Sequence, residues 1–252
     1  MKKLALAFSA LLLILSSCSS SDSSSSSTTD VLPKKTIETY SDGTITTLLT
    51  YNGNKIVKGV SSDDTSIVFT YTGDLITKIE YFEGTTLDQT DTYTYNSSNQ
   101  LVTFLRITYL DDYGDRTTYV YNSDGTISFT DYSGDSNSQT MVDRNGKIFF
   151  ENNELVKTEY YIESSSTLFN TLTYTYDTKN NPFKNVTGFD KIGYEEGYTQ
   201  GVNKNILTIL GTAFTSDDAT YDYTYNSNNY PTNVLETFTF SGETTSTQYF
   251  YE

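Results

Sequence analysis

Histidine and tryptophan are absent from this 252-residue chain, and cysteine occurs once. Without histidine there is no Ser-His-Asp or Cys-His nucleophilic machinery, and the usual His/Cys zinc sites are excluded. A lone cysteine has no disulfide partner within the chain. Basic residues are scarce as well, 16 Lys and Arg against 32 Asp and Glu, for a net charge of −16. A field of that sign repels phosphate backbones, so nucleic acid is not an expected partner. No cofactor is expected. Carboxylates, hydroxyls, tyrosines and a few lysines remain. An enzyme built from them would run on two acidic side chains about 5–9.5 Å apart in a tyrosine-lined cleft, as glycosidases do.

The start of the chain carries a different signal. Lys2 and Lys3 precede an apolar run from Leu4 to Leu15, the charged and hydrophobic regions of a secretory leader. The run falls short of the roughly 20 apolar residues that span a bilayer. It ends in Leu15-Ser16-Ser17-Cys18, which resembles the lipobox of bacterial lipoproteins. That resemblance implies cleavage before Cys18, diacylglycerol (palmitate-type chains) on its sulfur and acylation of the new amino terminus. Several acyl chains are needed for firm attachment, because one chain binds only marginally. Serine follows Cys18, which resembles the sorting signal for an outer-membrane destination, facing either the periplasm or the outside. The expected organisation is a signal peptide over 1–17, a lipidated, disordered serine-rich tether over 18–32, and a folded body over 33–252. The tether has no apolar surface to offset the entropy of ordering.

Within the body, tyrosine (23 residues) recurs in aromatic-x-aromatic pairs: Phe69/Tyr71, Tyr93/Tyr95, Tyr119/Tyr121, Tyr174/Tyr176, Tyr223/Tyr225 and Tyr249/Tyr251. A turn and then an aliphatic or proline follow, as in Tyr121-Asn-Ser-Asp-Gly-Thr-Ile127 and Tyr225-Asn-Ser-Asn-Asn-Tyr-Pro231. Asparagine and glycine tolerate the positive φ that tight hairpins require. Alternation of aromatic and hydroxyl residues on either side is the period-2 pattern of half-buried antiparallel strands. The expected fold is therefore all-β: an antiparallel meander of β-hairpin repeats in an extended or partly rolled sheet. The units resemble the YD-repeat (RHS-like) family, through the Tyr-turn-aliphatic grammar and the Tyr176-Asp177 pair. With the lipobox, this resemblance implies a surface lipoprotein of the YD-repeat-like kind. An aromatic ladder of this sort either forms the buried core of stacked repeats or presents an exposed binding platform.

One stretch, near 183–210, breaks the pattern with neither alternation nor a helical stripe. Its apolar side chains, Phe183, Phe189, Tyr194, Tyr198 and Ile206, suit a plug that caps an open sheet end or fills a rolled sheet. As a binding loop it offers Tyr194, Glu195, Glu196 and Tyr198, although adjacent glutamates in extended chain point to opposite faces. Asp111, Asp112 and Asp115 around Gly114 form a weak calcium candidate without EF-hand spacing; otherwise no metal ligands are expected. The function expected is a non-enzymatic binding or scaffold module. Its partners would be the bilayer, through Cys18, and a glycan or surface protein. A carboxylate-based glycan-active enzyme and a purely structural spacer are the alternatives.

Overall fold

The computed structural model describes residues 30–162, 166–195, 202–213 and 218–252; the leader and most of the tether lie outside it. The first strands are β1 (Pro33–Thr39), β2 (Thr44–Asn52), β3 (Lys55–Ser61), β4 (Thr65–Thr72) and β5 (Leu75–Glu83). Next come β6 (Thr86–Tyr95), β7 (Leu101–Thr108), β8 (Tyr113–Tyr121), β9 (Ile127–Asp135), β10 (Ser138–Glu151) and β11 (Glu154–Tyr161). The chain ends with β12 (Leu168–Tyr176), β13 (Ile206–Gly211), β14 (Ala219–Tyr225), β15 (Pro231–Phe238) and β16 (Thr244–Tyr251).

All sixteen described strands form an antiparallel up-and-down meander, and the sheet closes: β1 pairs with β16, Thr36 opposite Tyr249 and Glu38 opposite Thr247. The extended or partly rolled sheet expected from the sequence is thus corrected to a closed barrel. Closure leaves no unpaired edge strand, which an open sheet of this size would have to protect. The irregular stretch is also redrawn. Ile206–Gly211 is a strand paired with β12, so the break covers residues 177–205.

Each hairpin unit has one local logic. The two aromatics of a pair lie on the same face, and the register shifts at the second of them, between Thr50/Tyr51, Thr70/Tyr71, Thr94/Tyr95 and Thr175/Tyr176. These are β-bulges, which bend the strand and sharpen its twist. The second tyrosine then donates its hydroxyl to a carbonyl one repeat earlier: Tyr51 to Pro33, Tyr95 to Ile76, Tyr176 to Leu155 and Tyr251 to Pro231, at 2.6–2.7 Å. Asparagine after tyrosine ties the turn. Asn96 Oδ1 accepts the Ser98 and Gln100 N–H groups, and Asn226 Oδ1 those of Asn228 and Tyr230. Gly125, at φ +84°, supplies the left-handed position expected of Asn-Ser-Asp-Gly.

The aromatic face points into the barrel. Phe69, Tyr93, Phe104, Tyr119 and Phe129 are buried in one core cluster, while the intervening Thr70, Thr94 and Val120 are exposed. An exposed tyrosine platform is therefore replaced by an internal ladder. The outer wall is rich in threonine and carries charge, including the Lys78–Glu80 and Lys157–Glu159 pairs, together with exposed apolar residues, among them Leu235, and Leu48 opposite Val60. A lipid-facing barrel wall is the reverse, an apolar band in which a charge costs about 2–4 kcal/mol at mid-membrane. None of the described helices is long and apolar enough to cross a membrane.

Candidate functional site: two chambers in a plugged lumen

A barrel of about sixteen strands is wide enough to enclose an aqueous channel. Here the described residues between β12 and β13, 177–195 and 202–205, turn into one end of it. Val186, Phe189 and Ile192 are buried in the barrel core, with Phe183 and Tyr194 packed beside them. Phe183 stacks on Phe189 with ring centroids 5.4 Å apart. Tyr194 meets Tyr119 and Phe150 edge-on at 5.5 and 5.9 Å, and its hydroxyl lies 3.0 Å from that of Tyr121.

Backbone bonds fix the plug to the rim. The Thr187 N–H reaches Asn54 O and the Asn180 N–H reaches Asn229 O, both at 2.9 Å. Glu154, buried on β11, accepts the N–H groups of Val202, Asn203 and Lys204 at 2.8–2.9 Å. Gly188, at φ +86°, lies so close to the β4–β5 turn that a Cβ there would sit 2.9 Å from Asp74 O. The same rim receives the N-terminal segment: Leu32 is buried and Asn185 Nδ2 donates to Val31 O at 3.1 Å.

Beyond the plug, toward the opposite rim, the lumen holds two cavities that share no lining residue. The first, about 490 Å³, lies against β1–β4 and β14–β16 over the plug residues Phe183 and Phe189. The second, about 560 Å³, runs from Leu155 and Tyr194 at the plug to Asp115 and Asp143. Phe129, Tyr160 and Tyr174 wall this second chamber, together with charged residues of opposite sign.

Two of the chamber's arginines, Arg106 and Arg144, are paired with carboxylates. Asp91, fully buried, receives Arg106 Nε at 2.9 Å and Nη2 at 2.7 Å, with Tyr81 and Gln89 also donating to it. Such a two-pronged guanidinium–carboxylate contact is the stronger kind of ion pair. Asp131 pairs with Arg144 and accepts the Thr117 hydroxyl at 2.8 Å. Glu195, on the plug, has no cation bonded to it among the described residues; Tyr119 donates its hydroxyl to Glu195 Oε1. Enclosure by the barrel is the main cause that pushes the Glu195 carboxyl up to about 7, with Asp131 adding to the effect. The Tyr119 bond and the more distant Arg106 and Arg144 oppose it. Glu195 nonetheless keeps part of its surface open to the chamber. A carboxyl poised near neutrality is able to donate as well as accept a hydrogen bond.

Of the four residues singled out on the irregular segment, Tyr194 and Glu195 thus come together in the second chamber, while Glu196 and Tyr198 lie outside the described residues. The three aspartates of the calcium candidate do not converge. Asp112 occupies a left-handed turn position at φ +47° and accepts the Ser136 backbone N–H, while Asp115 is on β8 and accepts the Tyr113 hydroxyl at 2.8 Å. Among the described residues, no three His, Cys, Asp or Glu side chains gather to hold a metal. Sequence reading missed Asp91, Arg106, Asp131 and Arg144. A parity signal marks three of them: Asp91, Arg106 and Asp131 each lie two residues from an inward aromatic, Tyr93, Phe104 and Phe129.

The class defined by these features is a closed, sixteen-stranded antiparallel barrel with an internal plug. Among solved structures the fold is similar to a porin-like protein from Bacteroides uniformis, with TM-score 0.53 and 15% identity over 86% of this chain and 96% of that one. A porin-like protein from Bacteroides vulgatus matches with TM-score 0.46 and 12% identity over 88% and 99%. No family model matches the chain, and no curated protein matches it.

Proposed function

We propose that this chain is a lipid-anchored, non-enzymatic binding module of the outer membrane that takes a short, neutral glycan into the second chamber of its lumen. The observation that carries this reading is the lining of that chamber. Aromatic faces suit the apolar faces of sugar rings. Two of the chamber's arginines, Arg106 and Arg144, are already paired with Asp91 and Asp131, so they ask no anionic group of a ligand. Their remaining lone pairs and N–H groups match hydroxyls, which both donate and accept. A cavity of this size lies within the usual range for small-molecule sites.

The barrel and its likeness to a porin-like protein fit the outer membrane. The threonine-rich wall favours a barrel that stands in water beside the bilayer rather than through it, with Cys18 as the expected attachment. Val31 and Leu32 sit at the plugged end, next in the chain to the expected tether. Hairpin repeats of YD-like grammar then act as the scaffold for the lumen.

Isothermal titration of the full chain against a panel of neutral oligosaccharides tests this. Binding that is weakened at least tenfold by Arg144→Ala or Tyr160→Ala supports it; no binding by a folded protein overturns it. A second reading, a carboxylate-based glycan-active enzyme, draws on Glu195 and Asp131 lining one chamber. It requires release of reducing sugar that Glu195→Gln abolishes, so binding without turnover excludes it.

A further inference from the structure

The first chamber differs from the second in kind. Three carboxylates line it, Glu38, Asp63 and Glu236, and no lysine or arginine among the described residues shares its lining. Two of them are held in position by tyrosine hydroxyls rather than by cations: Tyr40 donates to Glu38 Oε2 at 2.6 Å, and Tyr221 to Glu236 Oε1 at 2.7 Å. In each case the tyrosine occupies one carboxylate oxygen. Below the carboxylates the walls turn apolar through Leu49, Ile67 and Val234, ending on the Phe183–Phe189 stack.

A second observation on the same lining is independent of the acidic groups. Asn205, 1% exposed, keeps its Oδ1 without a hydrogen-bond partner among the described residues, and it belongs to the plug side of this cavity. A buried acceptor left unpaired costs about 1–3 kcal/mol.

We propose that the chamber against β1–β4 and β14–β16 is a second ligand site, for a small molecule with an apolar body and an ammonium head. The apolar body is buried on the plug, displacing water from aliphatic and aromatic surface. The ammonium group meets carboxylates with no competing cation on the lining, and aromatic ring faces attract it as well. An anionic head is rejected by the same groups. This site is separate from the glycan chamber and stands whether or not that reading holds.

The test is a matched series with one body and three heads: 4-phenylbutylamine, 4-phenylbutanol and 4-phenylbutyrate, each titrated into the full chain and followed by calorimetry. The amine is expected to bind at least tenfold more tightly than the alcohol, and the carboxylate weakest of the three. In E38Q/D63N/E236Q, where the amide oxygens still accept the tyrosine and threonine hydroxyls, the amine's advantage should fall at least tenfold while the alcohol's affinity stays the same. Glu195→Gln, in the other chamber, should leave all three affinities unchanged. Equal affinity for the three heads, or no binding of the amine by folded protein, overturns the proposal. So does an amine advantage that is undiminished in the triple variant.

Discussion

Replacing Glu195 by glutamine should make the barrel more stable in mildly alkaline solution, with most of that gain lost at pH 5. The reason lies in proton linkage. The carboxyl is raised from 4.5 to about 7 in the folded protein, chiefly by burial, while in the unfolded chain it keeps its ordinary value. Between those two values the folded state holds more protons than the unfolded one, so stability falls as pH rises through that window. Above it the whole penalty applies. Every tenfold difference in proton affinity between the two states is equivalent to about 1.4 kcal/mol, so the ceiling is about 3 kcal/mol. Water reaching the chamber reduces that figure, because Glu195 is only partly covered. Glutamine has nearly the same shape and keeps an oxygen for the Tyr119 hydroxyl but carries no charge.

Urea unfolding of both proteins at pH 5, 6, 7 and 8.5, followed by tyrosine fluorescence in this tryptophan-free chain, measures the difference. The gain for the variant should be about a quarter of its full size at pH 5 and approach its plateau by pH 8.5. Carboxylates held below their usual range by hydrogen bonds, such as Asp63 and Glu159, act in the opposite sense and at lower pH, so they do not imitate this signal. A stability difference that is the same at every pH would refute the reasoning, as would a variant less stable at pH 8.5.

Other consequences are sharper locally. Tyr95→Phe removes the bond to Ile76 O and should cost about 1 kcal/mol. Tyr71→Phe removes a buried hydroxyl that has no partner among the described residues and should be neutral or stabilising in the same denaturation assay. Gly146→Ala places a Cβ 2.3 Å from both Glu159 O and the Phe129 ring; the forced shift should cost about 1–3 kcal/mol, read as a lowered Tm. Glu154→Ala withdraws the acceptor of three plug N–H groups. Hydrogen exchange at 202–204 should then accelerate far more than exchange in β5–β9; equal protection in variant and parent would show that the clamp is not needed.

Much of this architecture is written in short-range pattern. Aromatic-hydroxyl alternation determined the strands, because neighbouring side chains in extended backbone point to opposite faces and only one face is dry. Asn and Gly after each tyrosine determined the turns, because few other residues accept the left-handed backbone there. Missing histidine and scarce cations set the chemistry available. The stretch that lacked alternation is the one that leaves the wall, and Tyr194 and Glu195 were visible on it.

What the pattern did not contain is number of neighbours and closure. A hairpin repeat is satisfied by the strand on either side, whether the sheet is flat, rolled or closed. Only the pairing of Thr36 with Tyr249 and Glu38 with Thr247 joins the ends, and those partners are far apart in the chain with no local cue. Closure in turn decided that the tyrosine ladder faces a lumen and that Glu195, Asp131 and Arg144 share a chamber. The sequence by itself determined which residues could make strands and which chemistry was absent. The tertiary structure alone decided which charges are enclosed together, because burial and pairing depend on every strand taking its place around the barrel.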